Sequence, residues 1–536
     1  MNNKTLFGAE AREKLKTGVE KTYRAIAPTL GPKGRSAILS YGKRYNSVVL
    51  DDGVSIADFL VLEDPFENEG VKLIKEVASK TNDAVGDSTT TSTVLAHSML
   101  EDALKNITAG ANPTLIKKGM QRAVKFVVSE LTNKALPVSS NEDIKRVATI
   151  SSNSEEMGAK VAEAVEAVNG GLVSVEEGIE PGVTLEVVDG MQLSTGFVVP
   201  HFGMKSSNGK CTLNNPYIAL IDRNIQSFDE IMPILQAAKK GGRPLLIICE
   251  NIQTSALAMV LKNYLENRID VCVVKSPSGG VNKKELMEDV ALYTNGKVFG
   301  SIFGDDLTNF SADSFGTASI VTVDSQFTVI RATPDQKAIA ERVASIDNAM
   351  EQEKNDPYRM EHLRLRKAGL TSGIALLKVS AKTETETKAQ MAKLEDAKNA
   401  ALTAVKGGVV AGGGSAFLSI EPLLNKAINE AVKEIQVDEA IGMRVVLHAL
   451  SKPLKVLAEN TGLNGETVVD KVRAGIEKVP TYGFDADTEQ YVEMIGAGIL
   501  DAANSMKTAI ENAVSVVSTV IMTETISCII EDEEKK

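Results

Sequence analysis

The sequence predicts a multidomain α and α/β protein in which an α/β domain interrupts a largely helical one. Three observations carry this. At 536 residues and 43% hydrophobic content, the chain can bury a sizeable core and is too long for one compact domain. Apolar residues recur at helical spacing towards both ends. From about Gly190 to Gly373 the texture changes: the strand-like runs Leu245-Leu246-Ile247-Ile248, Val271-Cys272-Val273-Val274 and Ile320-Val321-Thr322-Val323 alternate with helical stretches.

In chain order, Ala11, Leu15, Val19, Tyr23 and Ile26 recur every three or four residues, which predicts an amphipathic helix running up to Pro28. The turn Gly31-Pro32-Lys33-Gly34 follows. Val48, Val49 and Leu50 predict a strand, Asp52-Gly53 its tight turn, and Val54 to Phe59 the returning strand. Helices are expected through residues 65 to 131. Beyond Pro137, Met157, Val161, Val165 and Val168 predict another helix, leading into strands at Leu172 to Glu176 and Thr184 to Val188. A long charged helical stretch is expected from Asp335 to Lys367, a further helix from about Thr387 to Val405, and helix-rich sequence beyond Gly407-Gly408. No internal repeat or low-complexity linker separates these regions.

Composition excludes several classes of function. Lys and Arg number 59 against 71 Asp and Glu, a net charge of -12, and no basic stripe interleaves with aromatics, so nucleic acid is not expected as a partner. Cys211, Cys249, Cys272 and Cys528 lack CxxC spacing, which argues against a zinc site or a disulfide framework and fits a reducing cytoplasm. The N-terminus is polar, and no apolar run reaches the roughly 18 residues that span a bilayer. A cytoplasmic location with no membrane partner is expected.

The chemistry centres on Gly86-Asp87-Ser88-Thr89-Thr90-Thr91 before the apolar Val94 and Leu95. A helix start leaves backbone N–H groups without intrahelical partners, and with the helix dipole they attract phosphate. A bare carboxylate would repel that phosphate, so Asp87 fits there when a divalent cation such as Mg²⁺ lies between them. The plain alternative is an ordinary N-cap. Gly31 to Gly34 either brings backbone close to an anion or simply ends a helix. Asp52 before Gly53 is ordinary hairpin chemistry unless it approaches Asp87. Asp396 lies two residues beyond Leu394, roughly 200° around a helix, which predicts a solvated face. Gly412-Gly413-Gly414 resembles a dinucleotide-binding turn, but Phe417 stands where GxGxxG needs its last glycine. No GxxxxGK[ST] motif occurs. His97, His201, His362 and His448 show no metal-ligand spacing.

Taken in order, Thr29-Leu30-Gly31-Pro32-Lys33-Gly34-Arg35, Asp52-Gly53-Val54-Ser55, Gly86 to Thr91, Thr149-Ile150-Ser151, Gly408 to Gly414 and Gly498-Ile499-Leu500-Asp501 resemble the motifs of the GroEL-type group I chaperonins, the 60-kDa chaperonin family. The resemblance extends over nearly the whole chain. It implies a chaperonin fold: a helical equatorial domain (1–135 and 408–536), a small intermediate domain (136–189 and 374–407) and an inserted α/β apical domain (190–373). Gly190 and Gly373 would be the hinges, since glycine tolerates large backbone rotation.

The same resemblance implies ATP as ligand, with Mg²⁺ on Asp87 and K⁺ as a further candidate cation. The implied nucleotide contacts are Thr29, Leu30, Gly31, Pro32, Asp51, Asp87, Ser88, Thr89, Thr90, Thr91, Ile150, Gly414, Asp485, Ala486, Asp487 and Asp501. Asp52 and Asp396 would act on the attacking water, Asp396 arriving when the intermediate domain swings down. Unfolded polypeptide clients would meet Phe197, His201, Phe202, Met232, Leu235, Leu257, Leu261 and Lys262. Heptameric rings and a GroES-type lid are the implied partners.

The chain departs from the family pattern in places. Lysine is usual at Asp51, glycine at Ser88, an aromatic at His201, an apolar residue at Lys262, and Asn-Ala-Ala where this chain reads Asp485-Ala486-Asp487. The tail from Glu531 to Lys536 lacks Gly-Gly-Met repeats. These departures cluster at nucleotide and client surfaces and point to a divergent paralogue. The leading expectation is an ATP-driven folding chaperonin. The alternative is a chaperonin-fold binding protein with weak or lost ATPase, and the third is an unrelated nucleotide-dependent enzyme.

Overall fold

Helix periodicity dominates the local structure, and the computed structural model describes residues 2–40, 48–50, 53–138, 140–168, 172–178, 181–193, 195–206, 209–276, 280–300, 307, 310, 312–353, 356–371 and 373–530. The chain forms two units: Met1–Glu163, Val175–Thr184 and Lys378–Lys536 make the larger, and Ala164–Ser174 with Leu185–Leu377 make the smaller. The smaller unit interrupts the larger in sequence, as the change of texture predicts. The chain passes between them within helix Glu155–Val168 and within strands Leu172–Glu177, Gly182–Asp189 and Gly373–Ser380.

The larger unit is built on helices Gly8–Ile26, Pro65–Val85, Thr89–Thr108, Pro113–Lys134, Val437–Ala449 and Ala503–Ile521, whose apolar faces share one core. Two of their starts are encoded locally by a capping side chain. Asp64 caps Pro65–Val85 by accepting from the N–H groups of Phe66 and Glu67, and Asn112 caps Pro113–Lys134 through Thr114. Two crossings are close enough to require glycine. A Cβ on Gly18 would stand 1.9 Å from Glu67 O, and one on Gly442 would stand 2.1 Å from Ile116 O. The chain ends pair antiparallel, Asn2–Phe7 with Thr525–Ile530. Further two-stranded ladders join Ala37–Leu39 to Val48–Leu50, Val409–Ala411 to Leu500–Ala502, and Tyr482–Asp485 to Gln490–Glu493.

One expectation needs correction and one is refined. Val54 to Phe59 is not a returning strand: Gly53–Phe59 is helical. Gly53, Ile56 and Ala57 are buried at helical spacing against the neighbouring helices, so packing overrides the strand preference of Val54 and Ile56. The charged stretch from Asp335 is two helices, Gln336–Gln352 and Pro357–Thr371. Pro357 lacks the N–H that an uninterrupted helix needs and opens the second one instead.

In the smaller unit, Val271–Lys275, Leu245–Ile252, Tyr217–Ile225 and Val298–Gly300 form a parallel sheet in that order, with Gly316–Thr317 antiparallel beside Tyr217–Ile225. Helices Phe228–Lys240, Thr254–Leu265 and Gly280–Thr294 connect these strands. The unbroken apolar runs at 245–248 and 271–274 are therefore buried throughout. Ile320–Val323 belongs to a second, antiparallel sheet, order Met191–Leu193, Thr328–Arg331, Ile320–Val323, Cys211–Asn214, and only its alternate residues are buried. Among the described residues, no helix is long and apolar enough to cross a membrane.

Gly442→Ala is expected to lower the unfolding midpoint of the larger unit, at a cost of about 3 kcal/mol, because the new methyl meets backbone that cannot rotate away. Gly369→Ala, on a helix where a Cβ would meet nothing within 4 Å, is the matched control and should be neutral or stabilising. Denaturant melts of the two variants check this; equal midpoints would contradict it.

His448 Nδ1 pairs with Asp102 Oδ2 at 2.9 Å, linking Val437–Ala449 to Thr89–Thr108. The hydrogen bond to Asp102 raises the imidazole above its usual value, against partial desolvation. A folded pKa above the unfolded value of 6.5 means this stabilisation is present below pH 6.5 and fades as pH rises through the raised value. In Asp102→Asn the His448 resonance should titrate at lower pH, measured by NMR, and that part of the pH dependence of stability should vanish.

Candidate functional site

The larger unit encloses a cleft of about 410 Å³. One wall is the start of Thr89–Thr108, where Gly86 and Ser88 both take left-handed backbone conformations and no side chain caps the helix. Thr89, Thr90 and Thr91 line the cleft behind Asp87 and Ser88, so the uncapped end of the dipole faces it. A second wall is the Thr29–Pro32 turn. Asn460 holds it by donating to Ala27 O and Leu30 O at 3.0 and 2.9 Å, and Asn153 donates to Pro32 O at 3.1 Å. Gly31 leaves room there for Leu457, whose Cδ1 would lie 2.2 Å from a Cβ.

The third wall is the Val409–Ala411 and Leu500–Ala502 ladder, which sets Asp501 opposite Val410. Gly413 and Gly414 follow in left-handed conformations and reach the cleft. This glycine run follows an antiparallel strand rather than opening a parallel βαβ unit, which removes the dinucleotide-fold alternative. The fourth wall is helix Asn141–Ser152, begun by a Ser140/Asp143 capping box and contributing Val147, Thr149, Ile150 and Ser151. Thr149 Oγ1 and Ser151 Oγ are shielded and hydrogen-bond to no described residue, and Thr149 Oγ1 packs against Gly158, 2.1 Å from where a Cβ there would stand. Pro453, Leu457 and Phe484 make an apolar end, beyond which lie Asp485, Ala486 and Asp487.

Helix Glu384–Gly407 closes the cleft with Asp396 and Ala400. Thr403 Oγ1 donates to Val85 O, and Asn399 Nδ2 donates to Gly86 O. Asp396, half-buried, therefore lines the cleft in this structure instead of facing open solvent. Burial raises the Asp87 carboxyl above the usual range, with hydrogen bonds from Ser88 pulling it partly back. Burial, then the charge of Asp87, pushes Asp501 up to about 7, with Gly413 N–H offsetting part of the shift. Two buried acids, one of them raised by the charge of the other, mark a place where a cation is favoured. Among the described residues, no group of three or more His, Cys, Asp or Glu could hold a metal unaided, so a cation here would need ligand oxygens as well.

The structure thus brings together Thr29, Leu30, Gly31, Pro32, Asp87, Ser88, Thr89, Thr90, Thr91, Ile150, Asp396, Gly414, Asp485, Ala486, Asp487 and Asp501. Asp51 and Asp52 lie outside the described residues, although the adjacent Gly53 lines the cleft. Sequence reasoning missed Asn153, Pro453, Leu457, Phe484 and Met506. Their approach depends on long-range packing, and only the neighbouring Thr149-Ile150-Ser151 motif hinted at Asn153.

In the smaller unit the expected client residues divide. Phe202, Leu235 and Leu257 are core, 0%, 8% and 8% exposed, and are corrected from client-facing to structural. Leu235 joins Ile231, Ile234 and Ala238 on the inner face of Phe228–Lys240, and Leu257 joins Ala256, Val260 and Tyr264 on that of Thr254–Leu265. Phe197, Met232 and Leu261 are half-buried, while His201 and Lys262 are exposed. The exposed apolar residues Met204, Met259 and Leu265 were missed. Tyr264 Oη, donating to Phe202 O, ties the turn before Met204 to the helix carrying the other two.

Residues 23–533 match the TCP-1/cpn60 chaperonin family. Among solved structures, the chaperonin gp146 from the bacteriophage EL 2 (Pseudomonas aeruginosa), crystallised in the presence of ATP-BeFx, is similar at 19% identity over 98% of this chain and 99% of that one. The TM-score is 0.75 for crystal form II and 0.66 for form I, a likeness of fold. With the family match spanning almost the full length, the chain belongs to the TCP-1/cpn60 chaperonin family and functions as a chaperonin in protein folding.

Proposed function

We propose that this chaperonin binds and hydrolyses ATP in the cleft and couples hydrolysis to the handling of unfolded chains. One observation carries the reading: an uncapped helix start, Asp87 and Asp501 converge in a single cleft. The crystal structure of gp146 is in the presence of ATP-BeFx, which supports the same ligand class. The N–H groups at the start of Thr89–Thr108 would take phosphate oxygens, and Asp87 with Asp501 would supply the carboxylates beside a Mg²⁺ ion. Mg²⁺, when bound, neutralises charge on the phosphates. Asp396, with Asp52 from the segment before Gly53, would orient the attacking water and accept its proton. The three-domain division at 1–135, 136–189, 190–373, 374–407 and 408–536 belongs to this reading.

Heptameric rings and a GroES-type lid follow from the family resemblance. Assembly is supported by the two-stranded sheets at the chain ends and at Ala37–Leu50, where Phe7, Ile529 and Ile38 are well exposed. A second reading, a nucleotide-binding chaperonin with little ATPase, is favoured by Asp485 and Asp487 replacing uncharged residues at the cleft's apolar end.

Steady-state phosphate release, measured alongside particle mass, tests the proposal. Asp396→Ala and Asp52→Ala should each slow turnover about 100-fold while changing ATP affinity little. Asp87→Ala should weaken Mg-ATP binding as well. Unchanged turnover in both of the first two variants would show that the water is positioned by other groups.

For clients, Leu261→Glu and Met259→Glu should reduce capture of an unfolded polypeptide while leaving the smaller unit folded. Leu235→Glu should instead unfold that unit, because it places a carboxylate in the core. Circular dichroism with a client-binding assay separates the two outcomes, and intact binding in both surface variants would move the client surface elsewhere.

A further inference from the structure

We propose that Asp487 sets the nucleobase preference of the cleft and turns it towards guanine nucleotides; the inference rests on the nucleotide-binding reading above. The cleft has a direction. Asp87 acts on Asp501, Asp501 accepts from Gly413 N–H, and a Cβ on Gly413 would lie 3.5 Å from Phe484 O and 3.7 Å from Leu457 Cδ2. Phosphate belongs at the helix start beside Asp87. The base then lies beside Gly413 and Leu457, over the backbone of the fully buried Phe484, and Asp485-Ala486-Asp487 continues directly from Phe484 along the cleft lining.

The two carboxylates at that end are not equivalent. Asp485 Oδ1 accepts from Asp487 N–H at 2.9 Å and Thr488 N–H at 3.5 Å, and its Oδ2 accepts from Thr488 Oγ1 at 2.6 Å. Its acceptors are used in folding the turn. Asp487 is exposed, and no described residue hydrogen-bonds or ion-pairs with its carboxylate. No Lys or Arg is among the described residues that line the cleft. The nearby Lys33 is paired with Glu489.

A carboxylate offers acceptors only. The Watson–Crick edge of guanine presents two adjacent donors, N1–H and the N2 amino group, so it can meet both oxygens at once. Adenine presents one donor, the N6 amino group, beside the N1 lone pair, so one oxygen gains a hydrogen bond while the other faces a lone pair. A single acidic side chain therefore separates the bases by charge and by donor count, in the way a site built for hydrogen bonding rejects a mismatched analogue.

The test is equilibrium titration of fluorescent ribose-labelled GTP and ATP, with Mg²⁺ at fixed salt, into the wild type, Asp487→Ala and Asp487→Asn. The ratio of the two dissociation constants within each protein does not depend on its active fraction. The wild type is expected to bind GTP at least as tightly as ATP. The ratio should move about tenfold towards ATP in Asp487→Ala and further in Asp487→Asn, whose amide can donate to adenine N1 while accepting from N6. Both nucleotides binding with one ratio across all three proteins overturns the assignment of Asp487 and leaves the nucleotide site standing. Neither nucleotide binding to the wild type overturns both.

Discussion

Gly86 has no side chain, and the space one would fill belongs to Asn399: a Cβ there would stand 2.2 Å from Asn399 Nδ2. On this contact the geometry of the cleft depends. It lets helix Glu384–Gly407 lie directly on the turn that carries Asp87, with Thr403 reaching Val85 O and Asn399 reaching Gly86 O. Asp396 lies one turn earlier on the same helix, so the register that seats Asn399 also directs Asp396 into the cleft. A larger residue at 86 would lift the helix and separate the two acids. The left-handed backbone of Gly86 gives glycine a second reason to be there.

The same economy appears at the helix crossings. Gly18 against Glu67 O and Gly442 against Ile116 O bring backbones together more closely than side chains allow, which keeps the Thr89–Thr108 helix wedged in a rigid core. The start of that helix can then remain uncapped, since tertiary packing carries the stability that a cap would otherwise add. The open amides and the buried, raised carboxyls of Asp87 and Asp501 are local conflicts within a well-packed surround, a usual mark of a functional site.

Much of the fold was legible because its signals are periodic. The apolar spacing from Ala11 to Ile26 and the strand runs at 245–248 and 271–274 name their elements directly. Val54 to Phe59 misled because β-branched residues suggest a strand, and only contacts with distant helices make Ile56 and Ala57 a helical face. The cleft was legible as an ordered set of motifs rather than as chemistry: helical geometry alone sends Asp396 to solvent, and nothing local in Leu457 or Phe484 announces a ligand wall. The apical residues show the opposite failure. Leu235 and Leu257 were named by the family resemblance, which does not say which way each helix turns its apolar side.

The pairing of Asn2–Phe7 with Thr525–Ile530 has a consequence for biosynthesis. Asn2–Phe7 has no partner in this sheet until Thr525–Ile530 has been made. The larger unit must wait for that late strand before the sheet can close. The smaller unit has no such constraint, since Ala164–Ser174 and Leu185–Leu377 are complete well before Thr525–Ile530 is made. A growing chain can therefore carry a finished α/β unit while the frame that holds the cleft is still open, and for that interval this chaperonin is itself an incompletely folded polypeptide.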